Sequence, residues 1–343
     1  MQEPLQQIAG PLLRWFGENR RPLPWREDRE PYHVWISEIM LQQTRIEAVK
    51  RYYANFMAAL PDIKSLSEVP EEQLLKLWEG LGYYSRARNL QKAAKTIVDE
   101  DGGAFPRTYA QIVKLPGVGE YTAGAIASIC FNEKVTAVDG NVLRVIVRLT
   151  GDRANVLLPE TKKAATEKLS AVLPEQSGAF NEALMELGEL VCLPNGAPLC
   201  ERCPLKTLCA ACREGLTAEL PVREKQMKRK REEKTVLLIG DGSGRIAIEK
   251  REGPGLLSGM YQLPNAAGFL SEAELTALLR EWGLAPEETV FLKDAKHAFT
   301  HIDWFMKGYA VKVTEANDRF LWVTREELKG RYPLPTAFKP FLK

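Results

Sequence analysis

The feature that most constrains the fold is a glycine hairpin at residues 115–119, LPGVG, between two helical patterns. Gly117 and Gly119 interrupt the first pattern, and the small-residue run from Glu120 to Cys130 restarts it. Backbone N–H groups at the start of the second helix have no partner within it, so they suit a phosphate. The hairpin therefore predicts a sequence-independent grip on a nucleic-acid backbone. An ordinary turn between packed helices is the alternative for this pattern taken alone.

The composition is that of a globular protein without a membrane segment. At 343 residues the chain is long enough for two domains and a sizeable core. It is 45% hydrophobic and 27% charged, and no apolar run approaches the roughly 18 residues that a membrane helix needs. The N-terminal sequence MQEPLQQIAG lacks the basic start and apolar stretch of a secretory signal. We therefore expect a cytoplasmic protein with no membrane partner.

Charge is unevenly distributed along the chain. The net charge is only +2, which gives no strong global field for attracting nucleic acid. Seven Lys/Arg and three Glu lie between Arg223 and Lys234. This segment predicts a solvated linker, with contact to a phosphate backbone as the alternative.

Helical periodicity dominates residues 1–213, and strand patterns dominate the rest. Pro31 opens the longest helical pattern, which continues to Leu60. The later part has one helical pattern, SEAELTALLREWG, and the strand patterns TVLLIG, RIAIEKR, MYQLP, WFMKGYAVKV and FLWVT. The simplest assignment is an all-helical domain over 1–213, a basic linker over 214–234 and an α+β domain over 235–343.

Five of the six cysteines are crowded between Cys192 and Cys212. In a chain without an export signal, such crowding indicates metal ligation rather than disulfides. Two CxxC pairs would make a zinc site from Cys200, Cys203, Cys209 and Cys212, although their separation is shorter than usual for zinc. An iron–sulfur cluster would instead take Cys192, Cys200, Cys203 and Cys209 and leave Cys212 free.

Two carboxylates are candidates for glycosidic chemistry. Glu38 lies on an apolar face of the helix that begins at Pro31, where partial desolvation would raise its pKa and suit it to donate a proton. The alternative is a glutamate at the rim of the core, with its carboxylate in water. Asp139 precedes a helix, so an N-cap is its alternative role. An acid and an anion on separate elements are what cleavage through an oxocarbenium-like state requires.

Taken together, these motifs closely resemble the adenine DNA glycosylases, which remove adenine mispaired with 8-oxoguanine. The resemblance rests on the cysteine run and on PLPWR (22–26), WISEIMLQQTR (35–45), LWEGLGYYSRARNL (77–90), LPGVGEYTA (115–123) and VDGNV (138–142). It implies a multidomain fold: a helical glycosylase domain with a helix-hairpin-helix at about 108–130 and a [4Fe–4S] module at 192–212, then a Nudix-like domain. The implied partner is duplex DNA carrying adenine opposite 8-oxoguanine or guanine, bound by a monomer at the nucleoid.

The resemblance also implies roles for individual residues. Glu38 would protonate adenine at N7, and Asp139 would stabilise or briefly trap the sugar cation of a flipped nucleotide. Asn141 and Glu182 would support the reacting centre. The residues implied to contact adenine or DNA are Trp25, Arg26, Leu41, Gln43, Tyr83, Gly117 and Gly119. Without the resemblance, Trp25 and Tyr83 would be assigned to the core, and Arg26 and Gln43 to the surface.

Tyr121 distinguishes this chain from the related endonuclease III enzymes, which act on oxidised pyrimidines. Those enzymes carry a lysine here, whose amine can form a Schiff base with the sugar and lead to strand nicking. A tyrosine cannot, so we expect base removal alone.

Two positions depart from the family pattern. Seven residues lie between Cys192 and Cys200, where the family usually has six, which leaves open whether Cys212 replaces one of the four ligands. A family loop that recognises 8-oxoguanine matches Phe299, Thr300 and His301, often with serine in place of the threonine. Thr300 retains the hydroxyl.

Two other classes of protein are alternatives. A Nudix hydrolase would need a glutamate-rich helix to hold Mg²⁺, but Ala277 and Arg280 stand where acids are required. We therefore expect a non-catalytic Nudix-like domain. A non-enzymatic DNA-binding protein with a structural zinc is the other alternative, and it would contain zinc instead of iron.

Overall fold

The computed structural model describes residues 4–224, 229–253, 255–299 and 301–342. The chain forms two compact units: Met1–Glu68 with Asn89–Gln226, and Val69–Arg88 with Met227–Lys343. Among the residues described, none of the helices combines the length and the apolar character needed to span a bilayer.

Residues before 214 form helices, as the periodicity predicts. Their bounds are α1 (Ala9–Asn19), α2 (Pro31–Leu41), α3 (Ile46–Ala59), α4 (Ile63–Glu68), α5 (Glu71–Leu77), α6 (Ser85–Asp101), α7 (Tyr109–Ile112), α8 (Glu120–Phe131), α9 (Gly140–Thr150), α10 (Pro159–Ser170), α11 (Ser177–Leu190) and α12 (Ala210–Arg213). Short 3-10 turns occur at Pro4–Gln7, Pro24–Arg26, Cys200–Arg202 and Lys206–Leu208.

The single helix predicted from Pro31 to Leu60 is wrong, because the chain breaks between α2 and α3. Gln43 stands in this break with a φ of 59°, a left-handed conformation that a non-glycine residue adopts only when the surrounding structure imposes it. The Gln42 side chain donates to Thr122 Oγ1 of α8 at 3.4 Å. Tertiary contacts therefore override the helical propensity of this segment.

The predicted helix-hairpin-helix is confirmed as α7, the glycine hairpin and α8. Gly117 has a φ of +77°, and a Cβ there would lie 2.4 Å from the Asn89 Cβ. Both facts require glycine. Gly119 is the N-cap of α8 and has no side chain with which to cap it. The first-turn N–H groups of α8 are thus left for another acceptor.

The core of the first unit forms where α1, α9 and α11 pack together. Leu12 and Phe16 of α1 meet Ile146 of α9 and Phe180 of α11 in one buried cluster. Gly124 of α8 allows the backbone at Thr136 to approach this helix closely, since a Cβ on Gly124 would lie 2.1 Å from the Thr136 carbonyl oxygen. This approach brings the segment that leads into α9 against α8.

The second unit contains a seven-stranded mixed sheet. Its strands are β1 (Lys230–Gly240), β2 (Ile246–Lys250), β3 (Tyr261–Gln262), β4 (Asn265–Ala267), β5 (Pro286–Ala298), β6 (Ile302–Val313) and β7 (Leu321–Val323). The order is β3-β2-β1-β6-β5, with β4 paired to β1 and β7 paired to β2. The β1–β6 pair is parallel, from Lys230 opposite Ile302 to Gly240 opposite Lys312, and the other pairs are antiparallel.

Alternate residues of the sheet enter two cores on its opposite faces. Val236 and Met306 pack on one face, while Leu237 and Val311 pack on the other. The predicted helix appears as α13 (Glu272–Glu281), and a second helix, α14 (Arg325–Gly330), was not predicted. Strands β4 and β5 were also not predicted, and β1 begins at Lys230, inside the segment predicted as linker.

Residues 69–88 belong to the second unit although they lie within the predicted helical domain. The Lys76 ammonium of α5 donates to the carbonyl oxygens of Leu328 at 3.3 Å and Tyr332 at 3.2 Å. Lys339 pairs with Glu79 at 2.8 Å. These contacts join the segment around Tyr83 to the C-terminal part of the chain.

Candidate active site

A cleft of about 890 Å³ in the first unit contains both predicted catalytic carboxylates. Its walls include α2, the start of α8, the residues before α9, and α11. Its lining residues include Glu38, Tyr121, Asp139, Asn141, Glu182 and Met185. Four separate stretches of sequence thus converge on one cavity.

Glu38 is buried on α2, with only 8% of its surface exposed, so it is not a rim residue with its carboxylate in water. The Tyr121 hydroxyl donates to Glu38 Oε2 at 2.7 Å. Burial raises the pKa of Glu38 to about 7, and the charge of Asp139 adds to this rise while the Tyr121 hydrogen bond and Arg26 oppose it. Near neutral pH this carboxyl group can therefore hold a proton and release it.

Asp139 is the N-cap of α9 and also lines the cleft, so capping the helix does not remove it from the site. Its carboxylate accepts hydrogen bonds from the Val142 N–H at 2.7 Å and from Asn141 Nδ2 at 2.9 Å. Burial raises the pKa of Asp139, and these hydrogen bonds work against that rise. The capping bonds hold the carboxylate in one orientation beside Glu38.

Tyr121 lies in the first turn of α8 with its hydroxyl between two walls of the cleft. Besides donating to Glu38, the hydroxyl contacts Met185 Sδ of α11 at 3.4 Å. Burial and the charge of Glu38 raise the pKa of Tyr121 well above 10. The phenol therefore remains a neutral hydrogen-bond donor to Glu38.

An arginine–glutamate network forms the side of the cleft next to Glu38. Arg26 pairs with Glu182 at 3.1 Å and with Glu186 at 3.0 Å, and Arg21 pairs with Glu186 at 2.7 Å. Sequence reasoning identified Arg26 and Glu182 but missed Arg21 and Glu186. The i, i+4 spacing of the two glutamates, which puts them on one face of α11, is the signal that would have found Glu186.

A further arginine, Arg144, is buried and holds the Asn141 side chain in place. Arg144 donates from Nη2 to Asn141 Oδ1 at 2.9 Å and from Nε to the Cys192 carbonyl oxygen at 2.7 Å. A Cβ on Gly188 would lie 2.7 Å from the Asn141 Cβ, so α11 also approaches this point closely. Sequence reasoning missed Arg144, whose role depends on contacts far along the chain.

The remaining predicted contact residues divide between the two units. Trp25, Leu41, Gln43 and Gly119 line the cleft. Trp25 is only 6% exposed and packs edge-on against Tyr53 at 5.4 Å, so it serves the core and the cleft together. Gly117 forms the hairpin without lining the cleft.

The other members of the predicted set lie in the second unit. Tyr83 has a φ of 47° and is 44% exposed. Phe299 packs edge-on between His297 at 4.6 Å and Trp304 at 4.8 Å. His301 is exposed, and Thr300 lies outside the described residues.

The cysteine segment packs against the core of the first unit through Cys192, Cys203 and Cys209. Arg148 Nη1 donates to Cys192 Sγ at 3.3 Å, and Cys209 Sγ donates to the Arg148 carbonyl oxygen at 3.4 Å. Within the described ranges, no group of three or more His, Cys, Asp or Glu side chains converges on one ion position. Thiolates are the ligands that an iron–sulfur cluster takes from a protein. Sulfur donors gathered on one short segment fit that chemistry.

Comparison with protein families and solved structures agrees with this architecture. Residues 36–175 match the HhH-GPD superfamily of base excision DNA repair proteins, and residues 235–343 match the NUDIX domain. The solved structure of a thermostable thymine-DNA glycosylase is 30% identical with a TM-score of 0.56, covering 62% of this chain and 97% of that one. The predicted fold class, a helix-hairpin-helix glycosylase domain followed by a Nudix-like domain, is confirmed.

Two curated relatives extend the similarity over most of the chain. The adenine DNA glycosylase of Buchnera aphidicola subsp. Baizongia pistaciae (strain Bp) is 32% identical over 318 residues, covering 91% of this chain and 89% of that protein. The Homo sapiens adenine DNA glycosylase is 34% identical over 388 residues, covering 93% of this chain and 70% of that protein. The chain therefore belongs to the adenine DNA glycosylase family.

Proposed function

We propose that this chain is a monofunctional DNA glycosylase that hydrolyses the N-glycosidic bond of adenine mispaired with 8-oxoguanine or guanine. It would act as a monomer on the DNA of the cytoplasmic nucleoid. The observation that carries the proposal is one cleft holding a buried acid, Glu38, and an oriented anion, Asp139. Similarity to adenine DNA glycosylases across most of the chain supports adenine as the base removed.

The first step assigned to the cleft is protonation of the base. Glu38, with a pKa raised to about 7, would donate its proton to N7 of adenine. A protonated base is a better leaving group, so the glycosidic bond breaks more easily. Tyr121 would hold the carboxyl group in place through its 2.7 Å hydrogen bond.

The second step is stabilisation of the sugar. Positive charge develops at C1′ as the bond breaks, and the Asp139 carboxylate would offset it. Asn141, which donates to Asp139 at 2.9 Å, would fix the orientation of the anion. Water then attacks the sugar and completes the hydrolysis.

Adenine must leave the duplex to reach this cleft. Trp25, Arg26 and Leu41 would line the pocket that receives the base, and Glu182 would support it through its ion pair with Arg26. We assign Gln43 and Tyr83 to the duplex position that the base vacates. Both have a positive φ, a costly conformation that is often retained at functional sites.

The glycine hairpin would hold the DNA backbone. No side chain caps the first turn of α8 after Gly119, so a phosphate can accept hydrogen bonds from its N–H groups. Phosphate contacts do not depend on the base sequence, so they suit an enzyme that must bind DNA of any sequence.

We assign recognition of 8-oxoguanine to the second unit, through Phe299, Thr300 and His301. The exposure of His301, two residues after the aromatic Phe299, supports this assignment, since stacking and hydrogen bonding are how a base is bound outside the duplex. Catalysis by a bound Mg²⁺ is not assigned to this unit, because α13 carries Ala277 and Arg280 where acids are needed.

We propose Cys192, Cys200, Cys203 and Cys209 as ligands of a structural [4Fe–4S] cluster. Such a cluster would tie together a segment that packs on the core of the first unit. The purified protein is expected to be brown and to contain about four irons per chain. One zinc per chain without iron would instead support the structural zinc site.

The direct test of function is adenine release under single-turnover conditions. Duplexes with adenine opposite 8-oxoguanine, adenine opposite guanine, or an oxidised pyrimidine are compared. We expect release of adenine from the first two and none of the oxidised pyrimidine, with strands cut only after alkali because Tyr121 offers no amine. Release of the pyrimidine, or a borohydride-trapped complex in high yield, would favour the endonuclease III-like alternative.

A further inference from the structure

Glu186 of α11 is the most buried carboxylate of the cleft wall and has no role in the reaction described above. Its side chain is 1% exposed. It accepts hydrogen bonds from Arg21 Nε at 2.7 Å and Arg21 Nη2 at 2.9 Å, and from Arg26 Nη2 at 3.0 Å. Burial alone would raise its pKa, but the two arginines lower it to about 2. Glu186 is therefore an anion at any pH where the enzyme works.

Glu186 and its neighbours engage all three nitrogens of the Arg26 guanidinium. Nη2 donates to Glu186, Nε pairs with Glu182 Oε1 at 3.1 Å, and Nη1 donates to the Arg21 carbonyl oxygen at 3.5 Å. The Arg26 side chain is only 13% exposed. A planar guanidinium held at every nitrogen cannot turn toward another carboxylate without breaking these bonds.

The carboxylate that Arg26 would otherwise stabilise is Glu38. The groups whose charge or hydrogen bonds act on Glu38 come from each element around it: Tyr121 of α8, Asp139 before α9, Glu182 of α11 and Arg26 of the turn Pro24–Arg26. Arg26 is the cation of this set, and it favours the ionised form of Glu38. An ionised Glu38 has no proton to give to the base.

We propose that Glu186 is a positioning residue for base removal: it holds Arg26 in a paired state and so prevents that cation from ionising Glu38. The inference rests on the proposed function, in which Glu38 donates a proton. Arg21 has the opposite effect on Glu38. It pairs with the same Glu186 carboxylate, and so weakens the compensation that Glu186 gives to the charge of Arg26.

The test is the pH profile of single-turnover adenine release between about pH 5 and pH 9. The Glu186→Gln variant removes the anion and leaves Arg26 undercompensated. Its rate should begin to fall at a pH about one unit lower than in the wild-type enzyme. Glu186→Asp retains the charge and should restore most of the profile. Glu175→Gln is the matched control, since it removes a carboxylate that is 93% exposed.

Arg21→Met provides a second variant, because breaking a buried ion pair can prevent Glu186→Gln from folding. The Arg21 side chain is 26% exposed, so replacing it should lower the stability of the fold less than replacing the buried Glu186. With Arg21 absent, Glu186 acts on Arg26 alone, and the alkaline fall in rate should move to higher pH. A purely structural defect would not give opposite shifts in the two variants.

The outcomes distinguish a failure of the positioning role of Glu186 from a failure of the proposed function. An acid shift in Glu186→Gln or, if that variant is insoluble, an alkaline shift in Arg21→Met supports the positioning role. Equal loss of rate at every pH, or profiles identical to that of the wild-type enzyme, would overturn it. If the wild-type enzyme itself releases no adenine at any pH, the proposed function fails before the variants are compared.

Discussion

In the proposed reaction Glu38 holds a proton at the start and gives it to the base, and its environment allows both states. Burial on α2 raises its pKa to about 7, while the Tyr121 hydrogen bond favours the ionised form and so limits the rise. The protonated acid is abundant below that pKa and disappears as pH rises through it. The rate of adenine release should therefore fall on the alkaline side of about pH 7.

Replacing Tyr121 with phenylalanine should move this fall to higher pH. The variant loses the hydroxyl that stabilises the Glu38 carboxylate, so the pKa of Glu38 rises further. A hydrogen bond to a charged group contributes about 1.5–3 kcal/mol, which corresponds to a shift of about one pH unit or more. The measurement is the pH profile of single-turnover release, compared with the wild-type enzyme.

Tyr52→Phe is the control for that comparison, since Tyr52 lies on α3 and does not line the cleft. Its profile should match that of the wild-type enzyme. A Tyr121→Phe profile shifted to lower pH, or not shifted at all, contradicts the role given to the Tyr121 hydrogen bond.

Single residues could be predicted where local sequence carries the signal. Asp139 precedes a helix and was placed correctly before it, and Gly117 and Gly119 marked the hairpin. Glu186 and Arg144 could not be assigned a role, because their partners lie far along the chain. Arg21 meets Glu186 across 165 positions, and Arg144 meets Cys192 across 48.

At the scale of elements, periodicity predicted most helices but not their interruptions. The pattern from Pro31 to Leu60 is helical throughout, yet the chain breaks at residues 42–45 between α2 and α3. The break presents Leu41 and Gln43 to the cleft. Local propensity cannot anticipate this, because the contact that the break makes with α8, from Gln42 to Thr122, joins residues 80 positions apart.

Strand β5 is an element that the sequence pattern did not predict at all. It lies at the edge of the sheet and pairs with β6, and most of its residues are exposed, including Val290 and Phe291. Without a consistently buried face, the sequence of β5 lacks the alternation that marks a half-buried strand. Central strands such as β6 bury alternate residues, and their patterns were recognised.

At the scale of the whole molecule, the order of a helical part and a sheet part followed from the change in sequence pattern near residue 230. The membership of residues 69–88 did not follow, since these residues join a unit whose remaining sequence begins at Met227. Lys76 and Glu79 make that connection through contacts with Tyr332 and Lys339. A helical sequence pattern does not indicate which distant residues the helix will contact.

Base removal by the proposed mechanism depends on Asp139 acting as an anion beside the reacting sugar. Asp139→Asn tests this with little disturbance of the fold, because asparagine also caps a helix and can accept the Val142 N–H bond. Single-turnover adenine release and duplex affinity should be measured on the same preparation. We predict that release falls by about a thousandfold while affinity for the mismatched duplex remains close to that of the wild-type enzyme. Release within about tenfold of wild type, a change in barrier of only about 1.4 kcal/mol, would contradict the account.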